Sequence, residues 1–211
     1  MNRVSIREGS FKVGTYESKQ LNCIIVNAST LQRMLYLGDY KPESPQTPVC
    51  WSSDAKHPDP QVKNKQAARC MDCKHNVRGS APQFGRACRY SQKLAVVMED
   101  NLYEIYQLHV PANSIFGRAL NGDLPLQAYA RFLSSNDTDA VSVYTKVHFD
   151  STSVVPKLFF APVRSLEQCE AQTIKEVINH PDALEAITLD FSNVQETVSP
   201  FEKTEGFTIS T

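Results

Sequence analysis

Four cysteines spaced C-x19-C-x2-C-x14-C (Cys50, Cys70, Cys73 and Cys88) most limit what this chain can fold into. The Cys70–Cys73 pair is a two-residue knuckle that places two thiolates on one metal. The longer arms to Cys50 and Cys88 are ordinary for the remaining ligands of a tetrahedral site. The surrounding stretch needs such a staple. Residues 40–92 lack apolar periodicity and hold Pro42, Pro45, Pro48, Pro58, Pro60 and Pro82, so they are poorly suited to burying a core of their own. Structural zinc contributes on the order of 10–16 kcal/mol in small peptides, enough to hold a loop-rich segment in one shape.

Four thiolates suit zinc best, with an iron–sulfur cluster as the chemical rival. His57 and His75 lie in the same segment as alternative ligands, though a lone histidine is more often solvated or structural. A shell of four thiolates leaves no open position for water, so the metal reads as structural. A zinc deaminase needs His-x-Glu before Pro-Cys-x-x-Cys; here Arg69 precedes Cys70 and no His-x-Glu occurs. Phosphate-cradling glycine loops, Gly-x-Ser-x-Gly and His-Glu-x-x-His are also missing. The chain reads as non-enzymatic.

With 211 residues, 41% of them hydrophobic, the chain can bury a real core in one domain carrying an insertion. No apolar run approaches the roughly 18 residues of a membrane span. Met1–Ser5 begins no apolar leader, so a cytoplasmic protein is expected, in the host cell if viral. Net charge is −1, but it is unevenly spread. Residues 61–93 hold eight bases and one acid, whereas residues 165–211 hold nine acids and two bases. That contrast suggests a polyanion-binding face beside an acidic terminal segment that repels or mimics the polyanion.

Residues 2–19 are polar, with a short extended piece at residues 11–13. Residues 21–26 and 33–37 read as strands, the first burying Cys23 in the core. After the insertion, residues 93–98 and 102–110 read as a hairpin turning at Glu99-Asp100-Asn101. A short helix over 112–120 follows, then a second helix capped by Asp123, with Pro125 in its first turn and Leu126, Tyr129, Phe132 and Leu133 on one face. Residues 141–149 alternate, Val141, Val143, Thr145, Val147 and Phe149 facing one way and Ser142, Tyr144, Lys146 and His148 the other. Residues 157–162 form the last strand. Ser165 with Gln168 is a capping box for a helix whose Leu166, Cys169, Ile174, Val177 and Ile178 share a face. His180-Pro181 breaks that helix.

Five or six strands with one helical break suit a small closed barrel of OB type. The expected fold class is therefore mainly β with helices. It comprises an OB-like barrel over 1–164, a zinc-binding insertion at 40–92 within it, a C-terminal helical segment at 165–189 and a flexible, mildly acidic tail at 190–211.

Aromatics interleave with the basic residues. Lys63, Lys65, Arg69, Lys74, Arg78, Arg86, Arg89 and Lys93 are candidate phosphate ligands, and Tyr36, Tyr40, Trp51 and Tyr90 are candidate platforms for unpaired bases. Phe84 also lies in the segment, as a stacking residue or as part of a small core around the metal. The polar face Tyr144/Lys146/His148 could line the same groove, although a solvated strand face is the commoner use of such a pattern.

The segments Asn22–Ala28, Cys50-Trp51-Ser52-Ser53-Asp54, Pro58-Asp59-Pro60, Cys70-x-x-Cys73, Arg86-Ala87-Cys88-Arg89-Tyr90, Leu94–Val97, Ser114–Gly117 and Pro125–Tyr129 resemble a family of tailed-phage proteins. Its members are described as zinc-containing single-stranded DNA-binding proteins, and the resemblance spans residues 2–165. It implies single-stranded DNA as partner, work in phage DNA replication or recombination, and one structural zinc. By looser layout the chain is similar to the T-even phage helix-destabilising proteins. Those include a histidine among their metal ligands, so their ligand set does not carry over to four cysteines. Such proteins also end in a strongly acidic tail that recruits replication or recombination proteins. Here the acidity is spread over 165–211 and the last residues, Thr208–Thr211, are neutral. The alternative reading is a zinc-ribbon-like interaction protein that grips a host or phage polymerase through the same basic patch.

Overall fold

The unbroken apolar runs become the strands at the centre of the molecule. In the computed structural model, which describes residues 1–38, 47–82, 84–119, 122–189 and 191, Leu94–Met98 is the second half of a long strand. That strand, Cys88–Met98, is the seventh of ten in the described residues: β1 Asn2–Arg7, β2 Ser10–Val13, β3 Tyr16–Ser18, β4 Gln20–Ala28, β5 Gln32–Leu35, β6 Cys50–Ser52, β7 Cys88–Met98, β8 Asn101–Pro111, β9 Val143–Phe149 and β10 Leu158–Ser165. The main path of the sheet runs β10-β9-β4-β7-β8-β1-β2-β3, with β5 joined to β7 and β6 joined to β5. β1 lies parallel to β8, and the other pairings are antiparallel. The result is a curled, mixed sheet, a half-barrel, carrying four α-helices among the described residues: α1 Ala112–Ile115, α2 Leu126–Ser135, α3 Gln168–Val177 and α4 Pro181–Ile187.

Burial on both faces explains why the central strands read as continuous apolar runs. On β4 and β7, Cys23, Ile25, Leu94 and Val96 pack into a core with Leu126, Tyr129 and Leu133 of α2. The alternate residues Ile24, Val26, Ala95 and Val97 pack into a second core with Ile174 and Val177 of α3 and Ala183 and Ala186 of α4. The Tyr129 hydroxyl and Thr145 Oγ1, 2.7 Å apart, join α2 to β9 inside the first core.

Several sequence expectations change. The polar N-terminal stretch folds as the meander β1–β3; β1 buries only Val4 fully, so its apolar alternation is weak. The helix expected over 112–120 is one turn, ended by extended Phe116 and by Gly117 at φ 143. α2 begins after Pro125, which occupies the cap position itself. Asp123 lies too early to cap and meets His148 Nε2 at 3.0 Å instead. Phe132, assigned to the apolar face of that helix, is exposed. Tyr144, assigned to a solvated face, is buried beneath α3 in the second core. Ser165 is the last residue of β10, and the cap of α3 is made by Glu170 accepting the Glu167 N–H at 2.7 Å. Cys169, assigned to the packed face, is exposed, whereas Cys23 is buried as expected. The helix does break at His180-Pro181, but α4 follows at once. The tail at 192–211 lies outside the described residues. No described helix is long and apolar enough to cross a membrane.

Candidate metal centre and nucleic-acid interface

Two of the four clustered cysteines stand on the sheet. Leu35 pairs with Cys50 on one side and with Cys88 on the other. One row along, Arg33 pairs with Ser52 and with Tyr90. Cross-strand partners share a face, and residues two apart on a strand share it too. The platform β6-β5-β7 therefore presents Cys50, Leu35, Cys88, Ser52, Arg33 and Tyr90 together. It is an extension of the half-barrel sheet, joined to it through β7.

The knuckle is brought to that face by backbone and side-chain ties. Asp54 accepts the N–H groups of Lys56 (2.7 Å) and His57 (2.9 Å) and the Ser52 hydroxyl (2.9 Å). Those bonds, led by the His57 N–H, hold its carboxyl well below the usual range. Asp59 accepts both the N–H and the hydroxyl of Ser53, at 2.9 and 2.7 Å. The Cys70 N–H then donates to the Lys56 carbonyl at 2.8 Å, which lays the knuckle across the turn. Cys70–Asp72 and Lys74–Asn76 are consecutive 3-10 turns. All four thiols are free and buried.

The thiols feel one another. Burial pushes the Cys88 thiol up to about 11; the charge and hydrogen bond of Arg33 oppose this, and Cys70 and Cys73 add to it. Burial also raises Cys70, opposed by the Ser52 hydrogen bond and the Arg33 charge, with Cys50 and Asp54 adding. Among the described residues no group of three or more Cys, His, Asp or Glu side chains is gathered closely enough to form a ready metal cage. What fits a metal is the chemistry of the donors: four buried thiols of convergent origin beside one buried cation.

That cation is Arg33, only 4% exposed. Its Nη1 donates to Asn76 Oδ1, and Asn76 Nδ2 donates to the Cys70 carbonyl at 3.0 Å. Its guanidinium carbon lies 3.7 Å from the centre of the Tyr90 ring. Its Nε is buried with no hydrogen-bond partner among the described residues. None of the ion pairs among the described residues joins Arg33 to a carboxylate. A buried guanidinium needs an anion, and thiolates are the groups at hand.

Lys63, Lys65, Arg69, Lys74, Arg78, Arg86 and Arg89 are exposed around this centre. Arg69 engages Asp72 at 2.8 Å. Among the described residues Lys65, Lys74, Arg78, Arg86 and Arg89 pair with no carboxylate. Lys93 is directed elsewhere: half-buried, its Nζ donates to the Thr188 carbonyl at the end of α4. Of the aromatic candidates, Tyr36 is exposed just past β5, its hydroxyl donating to Met34 Sδ at 3.4 Å. Trp51, on the opposite face of β6, meets Phe191 edge-on at 5.0 Å. Tyr90 lies between Arg33 and Phe116, the latter edge-on at 5.3 Å. Tyr40 lies outside the described residues. His57 is exposed against Asp54 at 3.4 Å. His148 turns to Asp123, so with Tyr144 buried the expected polar face on β9 forms no extension of this surface.

Comparison with protein-family models, with curated proteins and with solved structures finds no match.

The functional reading therefore stands on the residues. Sequence reasoning passed over Arg33, Asn76 and Ser52. Arg33 stands two residues from Leu35 on a strand that sequence reasoning did read, but its neighbours Ser52 and Tyr90 are set by register. A groove of about 450 Å³ at the far end of β7 is lined by Glu99 and Asp100 with Tyr16 and Asn22. Its carboxylates make it unsuited to a polyanion.

Proposed function

We propose that this chain is a non-enzymatic protein that binds single-stranded DNA with little sequence preference, in phage DNA replication or recombination. In this reading the half-barrel is the body of an OB-like domain. One structural zinc on Cys50, Cys70, Cys73 and Cys88 fixes the segment carrying the basic surface, with Arg33 offsetting part of the negative charge of the four thiolates. The observation that carries the reading is that surface. Seven exposed bases lie on the segment that carries the four buried thiols, and five of them pair with no carboxylate among the described residues. Cations of this kind track a phosphate backbone without reading bases, and OB-type folds use such grooves on single strands.

A titration with oligo-dT and with duplex of equal length, at two salt concentrations, tests it. The expected result is preference for the single strand, with affinity falling as salt rises by about 0.7 log units per phosphate contact for each log unit of salt. No binding at roughly 100 mM salt and micromolar protein overturns it. The second reading, a polymerase-gripping interaction protein, is favoured by Met71 and Val77, 72% and 60% exposed on the same segment. Under that reading oligo-dT is not bound, and changing Met71 and Val77 to serine abolishes partner binding.

A further inference from the structure

We infer that residues 77–82 and 84–87 form the two arms of a base-inserting finger: Phe84 stacks on an unpaired base while Arg78 and Arg86, opposite each other at its root, hold the flanking phosphates. The inference rests on the single-strand reading above and names the part of the surface that does the stacking.

The loop is built as a hairpin. The Gly79 N–H donates to the Gly85 carbonyl at 2.9 Å, and the Ala81 N–H donates to the same oxygen at 3.2 Å. The Gly85 N–H closes the tip by donating to the Pro82 carbonyl at 3.1 Å. Arg78 and Arg86 each lie one residue outside the Gly79–Gly85 pair, on opposite arms. The root is tied to the thiol centre through Ser80, whose hydroxyl donates to the His75 carbonyl at 2.9 Å and accepts the Ala87 N–H at 3.0 Å. His75 follows Cys73 by two residues and Ala87 precedes Cys88, so a fixed thiol centre fixes the finger.

Phe84 is placed at a cost. It is 83% exposed and holds φ 57, in the left-handed region that glycine and asparagine occupy far more readily. A loop facing only water would lose both penalties with Gly or Asn at that position. The segment's other aromatics are engaged, Trp51 with Phe191 and Tyr90 between Arg33 and Phe116. Among the described aromatics of the segment, Phe84 alone presents its ring to solvent. The occupant's charge is set by the neighbours. Residues 74–89 contain Lys74, Arg78, Arg86 and Arg89 and no acid, which suits a polyanion with an accessible π-face rather than an acidic protein surface alone.

The test uses the full chain and labelled oligo-dT at two salt concentrations, with variants F84A, F84L, F84W and the pair R78A/R86A. F84A is expected to weaken binding by about 5- to 100-fold with an unchanged salt slope, and F84W to restore it. R78A/R86A is expected to lower the salt slope by about 1.4, the share of two phosphate contacts on a single strand. If F84A, or F84L, binds as tightly as wild type while R78A/R86A is weakened, the finger is overturned and the single-strand reading stands. If wild type ignores oligo-dT, both are overturned. Equal weakening of F84A on duplex and single strand also overturns the finger, because a paired base offers no open face. Phe84 is too exposed for its loss to unfold the chain, and F84W controls for the backbone.

Discussion

Arg33 is the residue on which the site turns. Its guanidinium is buried against the Tyr90 ring, tied through Asn76 to the Cys70 carbonyl, and close enough to Cys88 to oppose the effect of burial. Removing one partner of a buried charge pair costs roughly 3–5 kcal/mol, because the other is left uncompensated. Under the proposed zinc reading, Arg33→Met is therefore expected to lower the stability of the zinc-loaded protein by about that amount and to give up the metal at lower chelator concentration. Arg33→Lys should rescue little, since an ammonium cannot both stack on Tyr90 and bond in two directions. Thermal melts and a cobalt-loaded competition titration check both variants. The four cysteines were legible because their spacing is a chemical pattern in itself. Arg33 was not, because a single cation in an apolar strand acquires meaning only when register sets it between Ser52 and Tyr90.

At the scale of elements, α3 is clamped to the sheet by one acid. Glu170 accepts from Arg164 Nη1 and Nη2, both at 2.8 Å, from the Glu167 N–H at 2.7 Å and from the Tyr144 hydroxyl at 3.1 Å. Arg164, first among these, holds the Glu170 carboxyl down at about 2. A carboxyl depressed in the folded state stabilises fully above its ordinary value near 4.5 and loses that contribution as pH falls toward 2. Arg164 is 37% exposed, so screening reduces the effect. Glu170→Gln is expected to cost about 1 kcal/mol at neutral pH and to flatten the acid limb of a stability-versus-pH curve between about 4.5 and 2. β4 and β7 were legible because both-face burial leaves long apolar runs, and β8 because it follows β7 across the Glu99-Asp100-Asn101 turn. The short strands β1–β3 and helix α4 were not. β1–β3 carry little apolar alternation, and the residues that α4 buries are Ala183 and Ala186, too small to mark a face, while its Leu184 is exposed.

Seen as a whole, the molecule is polarised along β7. Its Cys88 end carries the thiols and the exposed bases, and its Met98 end opens on Glu99 and Asp100. The charge asymmetry along the chain concerned residues 61–93 and 165–211, so it did not bear on Glu99 and Asp100, which were read only as a turn. The curl of the sheet was out of reach of the sequence, because it depends on pairings between distant segments. The clearest of these is β1 with β8, where Asn2, Arg3 and Val4 lie parallel to Tyr106, Gln107 and Leu108.

That parallel pairing has a kinetic consequence. Joining Val4 to Leu108 closes a loop of about 100 residues, and distant pairings form late because chain entropy must be spent before they reward it. β4, β7 and β8 can assemble first, leaving the outer edge of β8 bare until the N-terminal meander arrives. Val4 is 6% exposed in the finished core. Val4→Ala is therefore expected to destabilise by about 1–2 kcal/mol, nearly all of it as faster unfolding with the refolding rate unchanged, which stopped-flow chevrons would show. During that interval the bare edge of β8 can accept the first strand of another copy as readily as its own. Refolding at high concentration is where exchanged dimers would accumulate.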